Sequence, residues 1–234
     1  MRGGAETPPI VVAIDGPSGV GKSTVARQVA RALGLSYLDT GAMYRALGLK
    51  ALRTGVAADD SAGVAALVES SQLELSPAGD GGVVVSLDGE SVEPHIRSQE
   101  VAEMASRLAA QRVVRQRMVE LQRSFGETYG AVLEGRDIGT VVFPSTPYKF
   151  FLDARPDVRV KRRVDQLHHG PRSASMAAQV AAEIELRDRR DRERADSPLV
   201  CDDSYERVDT SDLAPDEVVR RLVASVRARS ESAG

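Results

Sequence analysis

An α/β fold, with a parallel sheet flanked by helices on both faces, is predicted by three observations. The segment Gly16-Pro17-Ser18-Gly19-Val20-Gly21-Lys22-Ser23 matches the phosphate-binding loop G-x-x-x-x-G-K-[ST] at each fixed position. Apolar, β-rich runs recur at residues 10–14, 36–38, 131–133, 148–152 and 205–208, which makes five candidate strands. Helical spacing separates them, as in residues 24–33, and strands alternating with helices imply a parallel sheet.

The first strand runs straight into the glycine-rich loop, the context this motif requires. Glycines turn backbone N–H groups toward an anion without steric cost, and the positive end of the following helix adds to the attraction. Gly16, Pro17, Ser18, Gly19, Val20, Gly21, Lys22, Ser23 and Thr24 therefore form the expected triphosphate site. Lys22 is expected to reach the β- and γ-phosphates, and the Ser23 hydroxyl to ligate Mg²⁺ brought by ATP.

Two segments interrupt the strand–helix alternation. Residues 41–125 contain the alternating Leu73-Glu74-Leu75 and the turn-forming Pro77-Ala78-Gly79-Asp80-Gly81-Gly82. After these, residues 83–87 meet 91–93 across Asp88-Gly89-Glu90, because Asp-Gly is a strong hairpin signal. This predicts an antiparallel meander in a subdomain of its own. Residues 156–196 are highly charged, with a loop-like break at 169–173. The core then comprises 9–40, 126–155 and 197–234. Residues 1–8 have no apolar stretch and read as a disordered tail rather than a signal peptide.

Composition narrows the function classes. The chain has 234 residues, 42% hydrophobic and 28% charged, as an ordinary globular protein does. Aromatic residues at 4% and a net charge of −3 argue against a nucleic-acid partner. No apolar run reaches the length of a membrane span, so no membrane partner is expected. Cys201 is the single cysteine, which excludes an internal disulfide and suits the cytoplasm. The three histidines lie at no metal-ligand spacing, so a zinc site built by the protein is not expected. A monomer is expected.

Three constellations carry the remaining chemistry. In Leu38-Asp39-Thr40-Gly41-Ala42-Met43-Tyr44-Arg45, Thr40 is a good N-cap, and Arg45 sits just over a turn into the helix, where it can grip a phosphate bidentately. Glu134-Gly135-Arg136-Asp137-Ile138-Gly139-Thr140 lies at the carboxyl end of a strand, where ligands gather in open α/β sheets. In the run Arg187-Asp188-Arg189-Arg190-Asp191-Arg192-Glu193-Arg194, the residues Arg187, Asp191 and Arg194 continue the apolar stripe of Val180 and Ile184, with Arg190 at its edge. Inward arginines without matching carboxylates call for another anion, and a nucleotide phosphate fits. A solvated helix laced with i,i+4 pairs is the alternative.

These motifs, in this order, resemble those of the bacterial cytidylate kinases of the nucleoside-monophosphate kinase superfamily, over nearly the whole chain. The resemblance implies a P-loop core with a five-stranded parallel sheet, a three-stranded antiparallel CMP-binding insert at 41–125 and a helical lid at 156–196. It implies phosphorylation of CMP and dCMP by ATP with Mg²⁺. Arg45 and Arg136 resemble the arginines that grip the CMP phosphate, with Thr40 in the place of a family serine. Ser106, Arg115 and Asp137 resemble residues that hydrogen-bond cytosine. Arg187 and Asp191 resemble the pair that reaches ribose hydroxyls and phosphates, and Arg190 and Arg194 the lid arginines that neutralise the migrating group. With Lys22, the catalytic set is Arg136, Arg187, Arg190 and Arg194. Some relatives carry glycine where this chain has Ser23.

One helix spanning 98–125 would put Ser106 and Arg115 roughly 900° apart and so on opposite faces. They share a pocket only if the helix breaks near 109–112. Other readings are a kinase for UMP or for a metabolite alcohol, and a nucleotide-hydrolysing switch. No Asn-Lys-x-Asp guanine signature occurs, which counts against a GTPase.

Overall fold

The structure, a computed structural model, describes residues 9–167 and 173–232. The tail expected at 1–8 and most of the break expected at 169–173 lie outside the described residues. Five strands form the main sheet: β1 (Val11–Asp15), β2 (Ser36–Asp39), β6 (Ala131–Gly135), β7 (Lys149–Asp153) and β8 (Glu206–Asp209). Their order is β2-β6-β1-β7-β8, and each neighbouring pair is parallel. The five predicted strands are all present, with ends displaced by one or two residues. β1 is central, so the loop that follows it opens at the middle of the sheet's carboxyl edge, between β6 and β7.

A central parallel strand is buried on both faces, which is why β1 reads as unbroken apolar sequence rather than alternation. Val12 and Ile14 point into one core, shared with Phe150, Leu152 and Val208 and with helices α1 (Lys22–Leu33) and α8 (Pro215–Glu231). Val11 and Ala13 point into the other. That second core continues without interruption into residues 41–125. Leu47 of α2 (Thr40–Thr54), Val64 of α3 (Ser61–Glu69), Leu73 of β3 (Leu73–Pro77) and Val85 of β4 (Val83–Leu87) join it. The insert therefore packs on one face of the main sheet and shares its core.

β3, β4 and β5 (Glu90–Ser91) form the antiparallel sheet. Its second hairpin differs by a residue from the sequence reading. Asp88 and Gly89 both adopt positive φ, 53° and 83°, as a two-residue type I′ turn requires, so Glu90 pairs with Leu87 instead of sitting in the loop.

Residues 98–125 do not form one helix. α4 (Gln99–Leu108) ends and α5 (Arg112–Tyr129) begins across Ala109, Ala110 and Gln111. Gln111 is extended at φ −80°, ψ 124°, and its side-chain amide donates to the Ala58 carbonyl at 2.8 Å. A tertiary contact, with neither proline nor glycine, holds the break.

α6 (Pro156–Leu167) and α7 (Ala174–Glu193) follow β7. Val164, Val180 and Ile184 form a small cluster separate from both main cores, and Ser173 caps α7 by accepting from the Met176 N–H. Among the described residues no helix is long and apolar enough to cross a membrane.

Candidate active site

A cleft of about 540 Å³ opens over the carboxyl edge of the sheet, bounded by the P-loop, the start of α2, the α4–α5 break, the turn after β6, and both α6 and α7. The P-loop lines it through Ser18, Gly19, Gly21, Lys22, Ser23 and Thr24. Gly16, Pro17 and Val20, expected in the triphosphate site, do not line the cleft. Gly16 has φ 146°, and a Cβ there would stand 2.1 Å from the Leu152 carbonyl oxygen, so only glycine lets the loop leave β1 at this angle. Lys22 is buried at the first turn of α1, and its ammonium donates to the Pro17 carbonyl at 2.6 Å. Burial pushes its pKa down, and the repulsion of Arg136 and Arg187 pushes it further.

Glu134, the carboxylate next to the P-loop, was not singled out from the sequence. It ends the apolar run of β6, beside β1, and that position is the signal that could have marked it. Its Oε2 accepts from Ser23 Oγ at 3.0 Å, and its Oε1 from the Tyr37 hydroxyl. Burial, and then Asp39, raise its pKa. Thr40 is predicted as the N-cap of α2, but Asp39 is the cap, accepting from the Ala42 N–H at 3.2 Å. Thr40 stands one position later. Its hydroxyl donates to the Glu134 carbonyl at 2.6 Å and ties α2 to β6. Arg45 lines the cleft and pairs with Asp39 at 2.7 Å.

The opposite wall is a ladder of alternating charge drawn from three parts of the chain. Arg115 of α5 pairs with Asp137, Asp137 lies 3.6 Å from Arg194, Arg194 lies 3.5 Å from Asp191, and Asp191 pairs with Arg136 at 2.6 Å. Burial works against the charge of Arg136, but Asp191 outweighs it and its pKa rises. Burial likewise opposes the Asp191 carboxylate, which Arg136, Arg194 and Arg187 hold below its usual range. Arg136 also donates to Ser18 Oγ at 3.1 Å, so the ladder touches the P-loop.

The break between α4 and α5 brings Ser106 and Arg115 to the same cleft. Ser106 Oγ, Arg115 Nε and the Tyr44 hydroxyl are buried there with no hydrogen-bond partner among the described residues. Such atoms are costly unless a ligand satisfies them.

Arg187 lines the cleft with no ion-pair partner among the described residues, and so does Arg163 on α6, which the sequence reading missed. Burial and the neighbouring Arg136 push the pKa of Arg187 down to about 10. Arg190 is the predicted arginine that the cleft does not include. It points to the insert and pairs with Glu103 of α4 at 2.6 Å. Asp188, a step off the predicted stripe, is almost fully buried. It accepts from the Ser18 N–H at 3.0 Å and pairs with Arg159, so the P-loop backbone is fixed to α7.

Asp15 closes β1 in full burial, and burial raises its pKa from 3.8 to about 6. Between those values the folded chain keeps a proton that the unfolded chain releases, so this carboxyl lowers stability as pH rises. The unfolding free energy of the native chain, relative to Asp15→Asn, should fall by roughly 2 kcal/mol between pH 4 and pH 7. Denaturant unfolding of both proteins across that range checks it.

The family model for cytidylate kinase matches residues 12–228. The cytidylate kinase of Symbiobacterium thermophilum is 45% identical over 93% of this chain and 96% of its own length. That of Solibacter usitatus is 46% identical over 94% of this chain and 93% of its own. Among solved structures, an uncharacterized protein from Eubacterium ventriosum shares the fold with a TM-score of 0.51 at 15% identity, covering 94% of this chain and 99% of that one. With matches of this extent over a P-loop cleft of this construction, the chain belongs to the cytidylate kinase family.

Proposed function

We propose that this protein transfers the γ-phosphoryl group of ATP to CMP, and to dCMP. The observation that carries the reading is that one cleft is lined both by the P-loop and by a second set of polar side chains, Ser106, Arg115 and Asp137. In the transfer, a phosphate oxygen of CMP attacks the γ-phosphorus, the bond from that phosphorus to the bridging oxygen breaks, and ADP leaves. Chemistry of this kind needs alignment and charge neutralisation rather than a covalent intermediate.

Lys22 and the loop N–H groups hold the donor phosphates. Arg45 and Arg136, with Arg187 above them, hold the acceptor phosphate. Ser106, Arg115 and Asp137 offer donors and acceptors that complement the O2, N3 and amine of cytosine. Asp191 and Arg187 face the ribose, and Arg194 meets the charge of the migrating group. Arg190 acts from outside the cleft, through Glu103, by fixing α7 against α4. Residues 41–125 serve as the monophosphate-binding insert and 156–196 as the lid.

The donors suit Mg²⁺. Ser23 Oγ, in the first turn of α1, and Glu134, near the end of β6, are hard oxygens 3.0 Å apart. Among the described residues no three His, Cys, Asp or Glu side chains are grouped to hold a metal by themselves. That combination fits an ion that arrives with ATP and keeps most of its ligands from phosphate and water. Ser23, backed by Glu134, would hold it, and when bound it screens the β- and γ-phosphate charge. With one cysteine and nucleotide substrates, the cytoplasm is the assigned compartment.

A coupled ADP-release assay with CMP, dCMP, UMP, AMP and GMP tests the reading. CMP and dCMP should be turned over fastest, and ATP hydrolysis should be negligible until a monophosphate is added. Turnover of UMP or AMP equal to that of CMP would refute the base assignment.

A further inference from the structure

Asp15 and Tyr205 lie outside the cleft, yet the turn that carries Arg136 and Asp137 hangs on them. Asp15 Oδ1 accepts from the Ile138 N–H at 3.0 Å, and Oδ2 accepts from the Gly139 N–H at 2.9 Å. Both donors directly follow the Arg136-Asp137 pair. Oδ2 also accepts from the Tyr205 hydroxyl at 2.7 Å. No cation forms an ion pair with this carboxylate among the described residues, so its burial is offset by the turn itself and by the tyrosine.

Tyr205 is placed for this contact. It is buried just before β8, with its ring edge-on to Phe151 at 5.9 Å and 82°. Burial and the adjacent Asp15 raise the pKa of its phenol far above the usual range, so the hydroxyl stays a donor. Gly139 admits it, since a Cβ there would stand 2.7 Å from the Tyr205 oxygen. The π-helical turn at Ile138–Val142 is thereby pinned at its first two N–H groups.

We propose that Asp15 and Tyr205 are a positioning pair that sets the Arg136–Asp137 tip, and through it the binding of the monophosphate's phosphate and base. The inference rests on the functional reading above. Asp15 is also the last residue before the P-loop, so it relates the donor loop to the acceptor tip. Tyr205 reaches only the acceptor side, through Asp15. Its removal should therefore loosen one substrate and not the other, whereas a merely structural residue would weaken both together.

Tyr205→Phe is the test, assayed beside the unaltered protein with ATP, CMP and UMP. The KM for CMP should rise about tenfold, because binding must then fix an Arg136–Asp137 tip that is no longer held in place beforehand. The KM for ATP should stay within about twofold, and the preference for CMP over UMP should narrow as Asp137 loses its fixed position. An unchanged KM for CMP in the folded variant, or equal losses for ATP and CMP, would overturn the pair. If Tyr205→Phe melts below the assay temperature, Gly139→Ala, which displaces the Tyr205 hydroxyl, must show the same split, and its absence overturns the pair equally. Failure of the unaltered protein to phosphorylate CMP would instead sink the functional reading itself.

Discussion

Lys22→Ala should lower kcat for CMP phosphorylation on the order of 10³-fold while leaving the fold intact. The ammonium is buried at the amino end of α1, beside the glycine-lined turn, and its position is fixed by the 2.6 Å bond to the Pro17 carbonyl. Burial and its neighbours Arg136 and Arg187 disfavour its charge, and Glu134 only partly opposes them. A cation held in such surroundings gains most when phosphate charge develops next to it, because it needs little reorganisation and little water screens it. Alanine removes that interaction together with one backbone hydrogen bond, a loss of about 1 kcal/mol, and relieves the repulsion from the two arginines. The melting temperature should therefore move by only a few degrees. Steady-state kinetics at saturating ATP, with a thermal melt of the same preparation, measures both. A variant that keeps kcat within tenfold of the parent would show that this lysine does not carry the transfer.

The donor half of the cleft was legible in the sequence because its chemistry is local. Gly16 through Ser23 are consecutive, and the backbone angles they need are written in the glycines themselves. β1, β6 and β7 were legible for a similar reason, since burial leaves each as a compact apolar run, whereas the edge strands β2 and β8 are short and carry polar residues. What escaped depends on partners distant in sequence. Glu134 matters because β6 lies beside β1, a pairing no local pattern reveals. Asp188 falls off the stripe defined by Val180 and Ile184, and its role appears only when α7 lies over Ser18. Arg190 lies at the edge of that stripe, and the presence of Glu103 on α4 decides its direction. The break at 109–111 was required by the joint use of Ser106 and Arg115. Its cause, Gln111 reaching Ala58, is tertiary, in residues with good helix propensity. The N-cap of α2 is Asp39, whose carboxylate accepts from the Ala42 N–H, while Thr40 stands one position into the helix and its hydroxyl donates to the Glu134 carbonyl of a strand distant in sequence.

Arg187→Ala should reduce kcat on the order of 10²- to 10³-fold and leave the melting temperature unchanged or slightly raised. The two halves of this expectation have one origin. The other cleft arginines of the ladder are matched, Arg136 by Asp191 and Arg194 by Asp137 and Asp191. Arg187 is not matched among the described residues. Burial and Arg136 lower its pKa to about 10, and Asp191 compensates only in part. The sign follows for a cation with a depressed folded pKa. At neutral pH the group is still protonated, and its charge costs the folded state more than the unfolded one, so deleting it cannot remove a stabilising ion pair. The same unmatched charge becomes favourable when the phosphates of two nucleotides meet beneath α7, where it complements charge spread over the transferring oxygens. Arg187→Lys should recover only part of the lost rate, because an ammonium lacks the planar pair of donors that spans two phosphate oxygens. Kinetics at saturating CMP, with calorimetry of the same variants, separates the possibilities. A large fall in melting temperature with normal turnover would mean that the guanidinium serves the fold, and the phosphate role would then rest on Arg45, Arg136 and Arg194, with Arg163 the remaining cleft arginine without an ion-pair partner among the described residues.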